Sequence, residues 1–438
     1  MPSFFHSLFL LALVALALAA PTPIARKQKN SFKVNRVPNP NFGGRNATRE
    51  LVKSLSKYGY PYPQSLVDAL SALNTVSDKK GHGGSAGGFG SGVFGSSSGA
   101  ANNANGSGQG DETGDASATP VNGDIEFLVP VSIGGQTVNM DFDSGSSDLW
   151  VFSTSLPANE QQGHTVFDPQ QSNTFQLMQG ASFSISYGDG SDAAGAVGTD
   201  TVNIGGATVT SQAVEIATAV SASFVSDTAS SGLVGLAFSS LNTVQPQQQK
   251  TFFDSILPDL EEPVFTADLR HNAVGAYEFG TIDNTKFTGE LSWADVDSSS
   301  GFWQFSSSSF AVGNGQITTL QTTGTAIADT GTTLMLVDPA IVNAYYSQVS
   351  GAVNDASVGG VTFPCNADLP DLSVDVGGNY QAVIPGSLIN FTQVSGNTCF
   401  GGVQATTGGL QIFGDIMFKS QFVVFNGGNN SIGLAPHQ

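Results

Sequence analysis

Residues 140–152 read MDFDSGSSDLWVF. Two aspartates, Asp141 and Asp143, stand here among Met140, Phe142, Leu149, Trp150 and Val151. A carboxylate buried in such company loses its hydration, so it is tolerated only where it is paired or put to use. A second stretch supplies the partner for one of them. Residues 326–337 read AIADTGTTLMLV. Both stretches run an apolar approach, Asp, a hydroxyl residue, Gly, two more hydroxyl residues and an apolar run. Each is followed by a glycine in apolar surroundings, GLVGLAF at Gly235 and QIFGDIMF at Gly414, 92 residues after Asp143 and 85 after Asp329. Duplicated signals at matching spacing imply two similar lobes, with Asp329 the counterpart of Asp143.

The chain around these stretches reads as strands. From about residue 120, segments such as FLVPVSIGG, ASFSISYGDGS, DTVNIGG, QAVEIAT and QFVVFNGG alternate apolar and polar residues and end at turn formers, which predicts an all-β body. SYGDGS reads as a hairpin tip turning on Asp-Gly. Helical patterns are short, at QKTFFDSILPDL and DPAIVNAYYSQV. Earlier in the chain, ATRELVKSLSKYG and PQSLVDALSAL also read as helices, the latter with Leu66, Leu70 and Leu73 on one face.

Charge divides the 438 residues unevenly. The first 80 carry eleven Lys and Arg against three acids, a net of +8, which leaves −28 for the remainder. So acidic a body repels nucleic acid and anionic membrane. It suits an acidic working environment, and equally suits plain solubility. Residues 1–19 read as a secretory signal, with an apolar run from Leu8 to Leu18 and Ala-Leu-Ala at 17–19, though without Lys or Arg ahead of the run. The run is too short to span a bilayer. The expected organisation is therefore signal peptide 1–19, basic prosegment 20–80, Gly/Ser/Asn-rich linker 81–118, and two lobes at 119–298 and 299–438, in a secreted, extracellular protein. Inside the linker, GSSSG and GSGVFG imitate a hydrolase and a dinucleotide motif, but neither follows a strand or opens a helix.

Secretion gives two cysteines a simple meaning. Cys365 and Cys399 are expected to form a disulfide, worth roughly 4 kcal/mol through the loop it closes. Asn46, Asn105, Asn390 and Asn429 each open an N-x-S/T acceptor for glycosylation. The histidines do not cluster at metal spacing and both cysteines are committed, so neither a metal nor another cofactor is expected.

Two carboxylates brought face to face cannot both ionise cheaply, so the pair holds one proton through a range of acid pH. The ionised member can take a proton from water while the protonated one polarises a carbonyl, the logic by which the aspartic proteases work. Gly145 and Gly331 allow tight turns and close approach. The hydroxyls of Ser144 and Thr330 can hold the two loops in register. Glycosidases also work with two carboxylates, but they do not require them on twin Asp-Ser/Thr-Gly loops.

From about residue 120 to 438 the sequence resembles the pepsin-like aspartic endopeptidases, closest to the secreted fungal aspergillopepsin and penicillopepsin type. DFDSGSSDLWVFS, ISYGDGS, GLVGLAFSSLNTVQP, GFWQF, IADTGTTL and FGDIMFKSQFVVFN carry the resemblance. It implies a bilobal fold of two related β-barrel-like lobes with a cleft between them. It implies that Asp143 and Asp329 are catalytic, and that Asp141 and Asp148 serve structure or solvent. Trp150 would support the active-site loop. Tyr187, Gly188 and Asp189 would form a flap over the substrate, Tyr187 bonding toward Trp150, while Thr332 and Thr333 would bond the substrate backbone. Asp189 matches the flap acid that lets some fungal members accept Lys at P1, and reads equally as an ordinary turn residue. Ser144 departs from the usual Thr. The implied partners are protein or peptide substrates and the chain's own prosegment, whose Lys57 and Tyr58 would reach the two carboxylates; the chain is expected to be a monomer. Processing at Lys79-Lys80 and processing nearer 110–120 both remain open.

Overall fold

The computed structural model describes residues 45–80, 113–121, 124, 126–187, 191–321 and 324–438, with the backbone alone for 73–80 and 120–121. The expected signal segment, most of the linker, Gly188, Asp189 and Asn105 lie outside the described residues.

Two helices come first. In α1 (Ala47–Lys57) the Asn46 side chain accepts from the Arg49 amide at 3.0 Å, with Glu50 in the first turn and Lys57 in the last. Cap and charges both suit the helix ends. Leu51, Val52 and Leu55 are buried, and so are Leu66 and Ala69 of α2 (Gln64–Lys80). Leu66 lies so near Gly359 that a Cβ there would come within 2.5 Å of Leu66 Cδ1. Both helices therefore bury their apolar faces on the body that follows.

Among the described residues, that body is built of strands, in sheets of thirteen, five, four and four. Two of these sheets contain the same construction. β1 (Gln136–Asp143) and β2 (Leu149–Val151) flank β4 (Gly232–Gly235), parallel to β1 and antiparallel to β2; β3 (Ala207–Val220) lies parallel on the far side of β2. β5 (Thr325–Ala328) and β6 (Met335–Val337) flank β7 (Leu410–Phe413) with the same directions, and Val403–Ala405 takes the place of β3. The glycine echoes gain their reason here. A Cβ on Gly235 would lie 2.5 Å from the Asp148 amide, and one on Gly414 would lie 2.9 Å from the Thr332 carbonyl carbon. Each glycine lets the loop after its aspartate pass directly against it.

The halves are joined rather than merely adjacent. Val264–Arg270 pairs with Gln421–Asn426, and Ser292–Asp295 with Ser431–Pro436, so one sheet runs across the expected boundary at 298/299. Phe265 stacks on Phe425 with ring centres 4.3 Å apart, and the buried Trp303 indole donates to the Leu236 carbonyl at 2.9 Å. Cys365 and Cys399 are bonded.

The strand Gly114–Val121 begins inside the stretch expected to be linker, and Gly114–Ala118 pair with Gly275–Phe279. Ala116 and Ala118 are buried while Asp115 and Ser117 are partly exposed. Residues this small alternate without a visible hydropathy signal, so composition hides the strand.

Candidate active site

β1 ends on Asp143 and β5 runs into Asp329, and the two parallel crossings bring their loops together. The loops hold each other by a symmetric exchange. The Ser144 hydroxyl donates to the Ala328 carbonyl at 2.9 Å and accepts from the Thr330 amide at 2.9 Å. The Thr330 hydroxyl donates to the Phe142 carbonyl at 2.7 Å and accepts from the Ser144 amide at 3.0 Å. All four groups are buried, so each bond resists loss of its partner.

Each carboxylate is held by its own loop. Asp143 accepts from the Gly145 amide at 2.8 Å and the Ser146 hydroxyl at 2.6 Å. Asp329 accepts from the Gly331 amide at 3.0 Å and from the Thr332 hydroxyl. The glycines are required by proximity. A Cβ on Gly145 would lie 2.5 Å from Asp329 Oδ1, and one on Gly331 would lie 2.8 Å from Lys57 Nζ.

α1 delivers a cation into this arrangement. Lys57 Nζ donates to Asp143 Oδ1 at 2.7 Å and to the two Asp329 oxygens at 2.9 and 3.0 Å, and the Tyr58 hydroxyl donates to Asp329 Oδ2 at 2.5 Å. Burial alone would lower the Lys57 ammonium, but the two carboxylates outweigh it and hold it above its ordinary value. Burial also pushes Asp143 up, and Asp329 adds to that against the opposing pull of Lys57. Asp329 goes the other way: burial opposes ionisation, yet Lys57 and the bonds from Thr332 and Tyr58 hold it below the usual carboxylate range.

The remaining expected residues divide. The Trp150 indole donates to the Tyr187 hydroxyl at 2.9 Å, beside a cavity that Tyr187 and Asp143 both line. The Thr333 hydroxyl donates to Glu50 of α1 at 3.2 Å. Asn46 caps α1, the Asn390 amide donates to the Cys365 carbonyl at 3.4 Å, and Asn429 is exposed in the final hairpin.

Three features go beyond the sequence reading. The Ser146 and Thr332 hydroxyls, three residues after each aspartate, bind the carboxylates directly; the shared hydroxyl at that place in both stretches is the available signal. Asp141, expected to serve structure or solvent, is buried. It lines the cavity with Glu126, Asp227 and Lys53, and burial, opposed by Lys53, leaves it pushed up to about 7. Glu126 and Asp227 stand far from Asp143 in sequence and no local pattern marks them. Asp148, third, is 1% exposed, at the end of the first loop. Among the described residues, no group of three His, Cys, Asp or Glu is arranged to hold a metal.

The model of the eukaryotic aspartyl protease family matches residues 126–437. An aspergillopepsin A-like aspartic endopeptidase of Aspergillus fumigatus is 49% identical over 437 residues, covering 98% of each chain. Aspergillopepsin-1 of Aspergillus oryzae is 52% identical over 72% of this chain and 78% of its own. Endothiapepsin of Cryphonectria parasitica is 45% identical over 93% and 90%. With the sheets described above, these likenesses agree on a bilobal, pepsin-like, mostly β fold.

Proposed function

The chain belongs to the eukaryotic aspartyl proteases, and from that premise we propose that Asp143 and Asp329 are its catalytic pair and that α1 keeps them blocked until acid releases it. The observation that carries the reading is the Lys57 ammonium bonded at once to both carboxylates. It occupies the position from which a water between the two would be activated.

With Lys57 gone, two carboxyls this close retain one proton between them. The ionised member takes a proton from water as the oxygen attacks the peptide carbonyl. The protonated member donates to the carbonyl oxygen, giving a tetrahedral diol. A proton passed to the amide nitrogen then lets the C–N bond break. Ser146 and Thr332 orient the carboxyls, and the Ser144/Thr330 exchange keeps the loops from drifting apart.

Release follows from linkage. Asp329 is held below its ordinary value in the folded precursor, so its contribution is present above about pH 4, the unfolded carboxyl range, and is lost as pH falls through the folded value. Lys57, held above its ordinary value, stays charged throughout and supplies no acid trigger. The basic segment thus loses its Asp329 anchor in acid and becomes a substrate.

The reading extends to a secreted zymogen with residues 1–19 as signal, glycosylated at one or more of its acceptor asparagines, cutting beside large apolar residues and, through Asp189, after Lys. Replacing Asp189 by Ser should selectively weaken cleavage after Lys. The main test is hydrolysis of a denatured protein between about pH 3 and 7 after acid treatment of the secreted precursor. Activity confined to acid, blocked by pepstatin and absent in Asp143→Asn is expected. Undiminished activity in that variant would sink the assignment.

A further inference from the structure

Behind the first aspartate loop lies a buried pair of acids that the chemistry above does not use. Asp148 and Glu215 are each 1% exposed. Glu215 lies on β3 opposite Trp150, and Asp148 immediately precedes β2. Three donors converge on one oxygen of Asp148: the Thr243 amide at 2.9 Å, the Thr243 hydroxyl at 2.8 Å and the Asn242 amide at 3.3 Å. The same Asn242 nitrogen reaches Glu215 Oε1 at 3.1 Å and the Ser147 carbonyl at 3.1 Å. That leaves Asp148 Oδ2 and Glu215 Oε2 buried, with no donor from any other residue. Two bare carboxylate oxygens enclosed together are untenable unless a proton lies between them.

We propose that Asp148 and Glu215 share one proton, donated by Glu215 to Asp148, and that its loss sets the upper pH limit at which the wall behind Asp143 keeps its shape. The pair knits four pieces of backbone. Asp148 closes the loop that begins at Asp143, and its amide and carbonyl pack on Gly235 of β4. Glu215 ties in β3, and Asn242–Thr243 tie in the turn after β4. Trp150, two residues beyond Asp148, carries the hydrogen bond to Tyr187 over the cavity. Among the described residues, the titratable groups facing the pair are each other and Tyr187, with no cation to stabilise a second negative charge.

The sign follows from which form fits the fold. Burial and then the Asp148 charge push Glu215 well above the usual carboxyl range, and burial raises Asp148 as well, against the Thr243 bonds. A group raised on folding favours the fold at low pH and opposes it as pH rises past the unfolded value. Asp148 and Glu215 are positioning residues, acting on Asp143, Trp150 and Tyr187 through the backbone.

The test is thermal unfolding of the full chain from pH 3 to 8, carrying Asp143→Asn throughout so that it cannot cut itself in acid, wild type at position 215 against Glu215→Gln. It needs no catalysis, so failure of the protease reading would leave it intact. An amide donates to Asp148 and accepts from Asn242 at every pH. Glu215→Gln should match wild type near pH 3 and hold its Tm to a pH roughly one unit higher. Asp148→Asn, should the first variant fail to fold, moves the limit the same way by less. Curves that stay parallel to wild type at all pH values in the folded variants would overturn the proposal.

Discussion

The two aspartate loops are near copies in backbone and differ in what flanks them. Both carry Asp, a hydroxyl residue, Gly and a hydroxyl that binds the carboxylate. Two residues before the aspartate the first loop has Asp141 and the second Ile327; five residues after it, the first has Asp148 and the second Leu334. Ile327 and Leu334 are fully buried and ask for nothing. Asp141 and Asp148 each require an environment: Lys53 and the cavity for one, Asn242, Thr243 and Glu215 for the other. The catalytic geometry proposed for the pair therefore needs the four-residue centre alone, which both loops share. On the proposals above, the extra acids add a response at the neutral end of the pH range to the first half, beside the acid response that Asp329 gives the second.

That contrast can be broken first at its centre. If the loops are chemical equals, Asp329→Asn should abolish acid proteolysis as completely as Asp143→Asn, by roughly a thousandfold or more in kcat for each. A large residual rate in only one would show that a single carboxyl suffices. Lys57→Ala should cost the precursor roughly 3–5 kcal/mol, because it leaves two buried carboxylates facing each other. Calorimetry at pH 7 measures that loss, and activity before any acid treatment would accompany it. A precursor equally stable and equally latent would break the proposed blockade.

The cross-loop exchange sharpens the comparison. Ser144→Ala and Thr330→Ala each orphan a buried amide and carbonyl, so each should lose about 1–3 kcal/mol, and by symmetry nearly the same amount. Unequal losses in chemical denaturation would show that the halves are not equally stiff. Ser144→Thr is the smallest change. It adds one methyl to a loop whose partner already carries that methyl, and should shift stability by under about 1.5 kcal/mol with the pH profile unmoved.

Much of this is legible in the chain. The repeated Asp-hydroxyl-Gly signature, the glycine echoes and the strand alternation are local, so they survive in one dimension. The strand at Gly114–Val121 escapes such a reading because Ala and Gly carry no amphipathic contrast. Glu126, Asp227 and Glu215 escape it because an acid on a strand looks the same whether it meets water or another acid.

The sequence by itself determined an all-β chain with two copies of one motif and a basic leader ahead of an acidic body, since hydrophobic period and charge are properties of neighbours along the chain. Only the tertiary structure decided which acids meet. Asp143 and Asp329 are 186 residues apart, and Lys57 reaches Asp329 across 272. Whether a carboxyl there is ionised, shared or blocked depends on burial and on the charges within a few ångströms, which only folding brings together.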